Sequence, residues 1–593
     1  MLETMKRNKI LTYAFLMAIP MTVGSIFSSC TDNFEKLNTS NIQVNPADLP
    51  FAAQCTEPMT YCYPPQQNMF QFWTNLTIDL YGGYFMTPNG NFTNGDMGEN
   101  RGHSGGMYEN YYLHIFNNTR RIIAQCDASG EKGLSGVMRI VQAYGTLMTT
   151  DAYGPIPYSS ILSGENEVYF EFDSQKDLYK AMFEDLNTAI TDISAMGESE
   201  IAKLKSFDCW CNADKDLWVK IANTLKLRMA LRLSKREAEA GSAGMDLKAI
   251  ATEAAKNTLA TVNKDILIDK SLENEMWLMF AWGDCGFNAN IVTLMSGLND
   301  PRQPLYMTKN TDDILNVGYS KEKKDDTTIY YKTDDKDKKP VPKTEAVAVA
   351  AHSEYLGIRF ASGLPAKPNS WGNFSGWIQG NNGSSYSMPL PIMKAAESYF
   401  LLAEAKLRWG IGSESVQSLY ENGIRVSMTN ELAYRGSYAS VKGYPDGAVD
   451  AYINGTSTQI DFKDPANADL STPAVNKLGV KWDESASNEE KLERIITQKW
   501  FALFPLSTEG WAEQRRTGYP RFFPAFVNES NGAVNTDEGV RRVIYSSQAY
   551  DANAKGVEGG IKLLDQENSS KFGISGDKGG THLWWDNADK GNF

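Results

Sequence analysis

Asp216-Leu217-Trp218-Val219-Lys220-Ile221-Ala222-Asn223-Thr224-Leu225-Lys226-Leu227-Arg228-Met229 is the stretch that decides the fold class. Apolar side chains recur at 218, 221, 222, 225 and 229, the spacing that lines one face of an α-helix. Two other segments carry the same period. In Ala395 to Trp409, residues Ala396, Phe400, Ala403 and Leu407 align, with Pro391 ahead and Gly410 behind as start and stop signals. In Glu489 to Phe504 the aligned residues are Leu492, Ile495, Ile496, Trp500 and Leu503.

Working outward, Tyr111 to Ala124, Gly136 to Met148, Gln175 to Met196, Leu247 to Leu259 and Ser415 to Met428 read as further helices. Neighbours such as 392–409 and 414–428 are joined by short turns, which predicts a mostly α protein built as a helical-pair scaffold. No clean repeat near 34 residues is visible. Long Gly/Asn/Pro/aromatic stretches separate the helices at 82–110, 277–310, 361–388, 434–483 and 517–593, and read as loops, the usual home of function. The mixed-charge run Lys321 to Lys343 reads as a solvated hairpin or an insertion without fixed structure.

The N-terminus predicts export. Met5-Lys6-Arg7-Asn8-Lys9 is basic, Ile10 to Phe27 is apolar apart from Thr12, Thr22 and Ser25, and Ser28-Ser29-Cys30 follows. This is the pattern of a signal peptide. The apolar run is too short and too broken by Pro20 and Gly24 for a membrane span. Small residues ahead of Cys30 resemble a lipobox, although Phe27 stands where Leu or Val is usual. The expected division is a signal peptide at 1–29, a lipidated N-terminus and linker at 30–65, and one helical domain with loop insertions at 66–593. Lipid on Cys30 is the expected membrane anchor.

Composition narrows the function. With 72 acidic against 58 basic residues, the chain does not suit the phosphate backbone of a nucleic acid. Six cysteines other than Cys30 include the pair Cys209-Trp-Cys211, which alone is weak evidence for zinc. No metal site or cofactor is expected. Gly102-His103-Ser104-Gly105-Gly106 matches the nucleophile-elbow pattern, which requires a strand feeding a strained turn. The preceding Asn91 to Asn100, rich in Asn and Gly, cannot be that buried strand. Four histidines leave little for imidazole catalysis, and HExxH, P-loop and GxGxxG motifs are lacking. A carboxylate pair of glycosidase type meets only in space, so a surface hydrolase remains the alternative class.

Several blocks resemble one family. Asp151-Ala152-Tyr153-Gly154-Pro155-Ile156-Pro157-Tyr158-Ser159 resembles the D-x-Y-G-x-I-P-Y turn of the SusD/RagB family, in its SusD-like second branch. Trp218 to Arg232 is similar to that branch's W-x-K-x-A-N-x-L-K-L-R helix, and Phe400-Leu401-Leu402-Ala403-Glu404-Ala405 to its central helix, followed by Tyr420 to Met428. Ile496-Thr497-Gln498-Lys499-Trp500 with Glu509 to Pro520 resembles the late signature, and Leu583-Trp584-Trp585-Asp586 the C-terminal ending. One departure is Arg542-Val543-Ile544-Tyr545-Ser546, where R-x-x-Y-P is common.

The resemblance implies tetratricopeptide-like helix pairs with a loop-rich ligand-binding face. It implies a non-catalytic lipoprotein on the outer membrane of Bacteroidota that captures oligosaccharides, or peptides, and delivers them to a SusC-like TonB-dependent barrel. A sugar site needs exposed aromatics beside hydrogen-bonding side chains. Three loop clusters offer that combination: Trp73 and Asn75 with Tyr81 and Tyr84; Trp277 and Trp282 with Asp284; and Trp371, Asn373 and Trp377, the preferred group because glycines surround it.

Overall fold

The helix marked most strongly by the sequence opens at Asp214, whose side chain accepts from the N–H groups of Asp216 and Leu217, and it runs Lys215–Arg232. In this computed structural model the described residues are 49–63, 67–163, 169–268, 282–309, 319–332, 335–342, 354–363, 389–464 and 468–593. Cys30, Trp277, Trp371, Asn373 and Trp377 lie outside them. Residues 52–593 form one folded unit.

Eight helices make four successive pairs: α1 (Asn117–Ser129) with α2 (Lys132–Tyr153), α3 (Gln175–Ser194) with α4 (Lys215–Arg232), α5 (Ala395–Trp409) with α6 (Val416–Arg435), and α7 (Asn488–Leu503) with α8 (Ser507–Thr517). Adjacent pairs meet through α2 against α3, α4 against α5 and α5 against α7. Side-chain caps start four of these helices, with Asp214 opening α4, Ser174 opening α3, Ser415 opening α6, and a Ser487–Glu490 capping box opening α7. Left-handed glycines Gly130, Gly410 and Gly518 end α1, α5 and α8. The expected single apolar stripe on α4 understates its burial. From Leu217 to Arg232 every residue except Lys220 is buried, because neighbouring helices flank it on several sides. Trp218 stacks on Trp210 at 5.3 Å and donates to Asp208 Oδ2 at 2.8 Å.

Besides 434–483, which holds the short helix Ala448–Ile453, four expected loops or linkers prove partly helical. The end of the segment read as linker forms the helix Phe51–Thr60, with Cys55 and Met59 fully buried. Within 82–110 lies Gly105–Asn110, and within 277–310 lies Ala289–Leu298, capped by Asn288 and ended by left-handed Asn299. That second helix is buried nearly all round, so it shows no amphipathic period to read. The fourth, Ser547–Glu567, carries Gly556 and Gly560 against intrinsic propensity. A Cβ on either would come within about 2.3 Å of the Phe170 backbone or the Phe172 ring, so close packing dictates those glycines. The charged run is a hairpin extended to a three-stranded antiparallel sheet: Tyr319–Lys324 pairs with Thr327–Lys332 around Asp325 and Asp326, both at positive φ, and Thr327–Lys332 pairs in turn with Pro340–Val341.

The core holds an unusual density of charge. Arg228, Arg232, Arg408, Lys499 and Arg516 face Asp151, Glu397, Glu404, Glu509 and Glu513, five cations against five carboxylates. Arg228 grips Glu397 through two bonds of 2.7 and 2.6 Å, and Arg516 grips Glu404 at 2.6 and 2.7 Å. Arg232 pairs with Asp151 and Glu509, while Lys499 lies 3.3 Å from Glu513. Burial alone would raise the Glu513 carboxyl, but Arg516, Lys499 and Arg232 hold it well below the usual carboxylate range. The conspicuous blocks of the sequence therefore meet here, joining α2, α4, α5, α7 and α8.

Candidate functional site

A continuous helix over 67–81 has its middle, Gln71–Ile78, widened to π geometry, a deformation frequent at functional sites. It brings two of the expected clusters together. Gln71 Nε2 donates to Asp284 Oδ2 at 3.0 Å and Asn75 Nδ2 to the Asp284 carbonyl at 3.2 Å. Just beyond, Phe85–Met86 pairs antiparallel with Gly286–Phe287.

The meeting buries most of the expected residues. Trp73, Asn75 and Asp284 are at most 8% exposed. Tyr84 is fully buried, stacked on Trp500 at 4.6 Å with its hydroxyl donating to the Trp500 carbonyl at 2.5 Å. It packs the core rather than facing a ligand, because Gly510 leaves room for its ring and hydroxyl. Trp282 remains 38% exposed.

Tyr81, at the end of the same helix, faces a cleft of about 260 Å³. Phe360, Trp511 and Phe522 supply further aromatic walls, and Gln514, Thr536, Asp537 and Glu538 the polar ones. Tyr81 lies 5.3 Å from Trp511 and edge-on to Phe360 at 6.2 Å. Trp511 and Gln514 sit three residues apart on α8, hence on one face. Arg515 stacks on Trp511 at 3.5 Å and is fixed by the carbonyls of Arg541 and Asp151. Gly83, at φ +76°, allows Phe522 to close in, since a Cβ there would stand 2.5 Å from the ring.

A charged relay backs the cleft. Glu538 Oε2 lies 3.3 Å from His582 Nε2, whose Nδ1 is 3.2 Å from Asp586 Oδ2. Burial works against protonation of His582, but Asp586 outweighs it and raises its pKa; Arg541 and His582 hold Asp586 well below the usual range. His582 is thus committed to two carboxylates, and Ser104 of the Gly102–Gly106 pattern donates to the Arg101 carbonyl at 3.0 Å. Among the described residues no group of three or more His, Cys, Asp or Glu side chains is arranged to hold a metal ion.

Reading the sequence missed Phe360, Gln514, Phe522, Asp537 and Glu538. Trp511 and Gln514 lie in the Glu509 to Pro520 block, which the sequence offered as a family resemblance and not as a ligand site. A profile described as SusD-like, Susd and RagB outer membrane lipoprotein, matches residues 33–586. The chain belongs to the SusD-like family. No curated protein matches it in sequence. Among solved structures, a chitin-binding SusD homolog from Flavobacterium johnsoniae is 26% identical with a TM-score of 0.73, covering 92% of this chain and 100% of the homolog. SusD homologs from Bacteroides thetaiotaomicron and Bacteroides vulgatus are each 26% identical with TM-scores of 0.72; they cover 91% and 92% of this chain and 99% of their own. The helix-pair scaffold is accordingly the SusD-like fold. The family is one of outer membrane lipoproteins, and among the described residues no helix is long and apolar enough to cross a membrane.

Proposed function

We propose that this SusD-like protein is a non-catalytic cell-surface receptor that binds oligosaccharide in the Tyr81–Trp511 cleft and passes it to a SusC-like TonB-dependent barrel. The cleft carries this reading: aromatic walls beside the Gln514 amide and the Asp537 carboxylate suit the apolar faces and hydroxyls of a sugar ring. The chitin-binding relative supports a glycan rather than a peptide. Trp282, and Trp371 and Trp377 with Asn373, are the further contacts this reading assigns. Lipid on Cys30 tethers the receptor to its membrane.

Titration of the purified chain, lacking residues 1–29, against neutral oligosaccharides and peptides tests the reading. Saturable binding of a glycan that leaves it chemically intact is expected, with weaker binding by Tyr81→Ala and Trp282→Ala. Release of cleavage products would overturn the non-catalytic assignment, and binding of peptides alone would overturn the glycan. A Cys30→Ala strain should keep ligand affinity and lose uptake; normal uptake would sink the tether.

A further inference from the structure

Phe526 stands beside the cleft, 52% exposed, yet its backbone is firmly mounted. The N–H groups of Phe526 and Val527 both donate to the Ala361 carbonyl, at 2.8 and 2.9 Å, and Ala361 N–H in turn donates to Gly95 O at 2.8 Å. Behind the ring lies Arg359, its guanidinium carbon 5.9 Å from the centroid. That guanidinium is locked by the carbonyls of Leu470 and Pro524, each at 2.6 Å. One face of the phenyl is therefore backed by a fixed cation, and the other meets solvent. Its chain neighbours Pro524 and Ala525 line the cleft, as does Phe360 next to Arg359. A single exposed aromatic is ordinary on a protein surface; what sets Phe526 apart is its place in the chain beside the aromatic cleft, with one ring face already taken by a fixed cation.

The cleft, at about 260 Å³, falls just below the usual range of about 300–1,000 Å³ for small-molecule sites, so it suits the end of a chain rather than a long stretch. We propose that Phe526 is an outer stacking platform for the second ring of an oligosaccharide whose terminal unit occupies the cleft. The assignment rests on the glycan reading above. It adds that affinity grows with chain length through Phe526.

Calorimetric titration with N-acetylglucosamine and its dimer and tetramer, alongside xylan and glucan fragments of matched lengths, tests it. For whichever series binds, the dimer should bind the wild type more tightly than the monomer. Phe526→Ala should remove most of that gain, weakening the dimer and tetramer about five- to tenfold while leaving the monomer unchanged. Phe526→Tyr should restore it. If the wild type binds and Phe526→Ala keeps the full gain with length, the platform is refuted and the receptor reading stands. If no saccharide of the panel binds the wild type, the glycan reading falls, and the platform with it.

Discussion

Gly83 shows how a single residue shapes the site. It sits in the left-handed region and leaves the Phe522 ring no space for a methyl group. Gly83→Ala should cost about 1–3 kcal/mol in thermal unfolding, through overpacking and backbone strain, and should weaken ligand binding by displacing Phe522. Glu567 makes a second case. Burial pushes its carboxyl from 4.5 up to about 7, against the pull of Arg236 and Lys176, and Oε2 lacks a hydrogen-bond partner. Between those two values the folded state keeps a proton that the unfolded state has released, so stability falls as pH rises through the interval. Glu567→Gln should raise the melting temperature at about pH 8 and leave it unchanged at about pH 4. Equal shifts at both values would show that Glu567 titrates normally.

At the scale of elements, Ser546 explains a departure from the family pattern. Its side chain accepts from Ala549 N–H and caps the helix Ser547–Glu567, while Arg542 still stacks on Tyr545 at 4.6 Å. Ser546→Ala should therefore cost about 1 kcal/mol in chemical denaturation, and Ser546→Asp much less. The same helix marks where reading the sequence stops working. Helices with one wet face, such as α3 and α7, announce their period. Ala289–Leu298 is buried on too many sides to show one, and Ser547–Glu567 is written in glycines whose reason is a distant phenylalanine. The candidate site was less legible still. Tyr81 was identifiable from its own loop-side cluster, but Tyr84, three residues on, faces the core, and nothing local distinguishes the two. Tyr81, Phe360 and the Phe522–Glu538 stretch come from segments far apart in the chain, and only folding makes them neighbours.

For the whole molecule, the buried charges join the helix pairs alongside an apolar core that includes Trp218, Phe400, Ile496 and Trp500. Removing one partner strands its opposite in a dry interior. Glu513→Gln should accordingly lose about 3–5 kcal/mol at neutral pH. Because the Glu513 carboxyl is lowered in the folded state, its contribution is present above about pH 4.5 and is lost as pH falls through the lowered value. Melting curves of wild type and Glu513→Gln should thus be far apart at neutral pH and converge under strong acid. Curves that stay parallel at every pH would mean that Glu513 contributes shape rather than charge.

The matching of five cations to five carboxylates also constrains descent. A lineage that substituted Arg228 would leave Glu397 stranded, and selection would favour a compensating change there before any other. These positions should change in couples across relatives, Arg228 with Glu397 and Arg516 with Glu404, while the aromatic walls of the cleft vary independently of them.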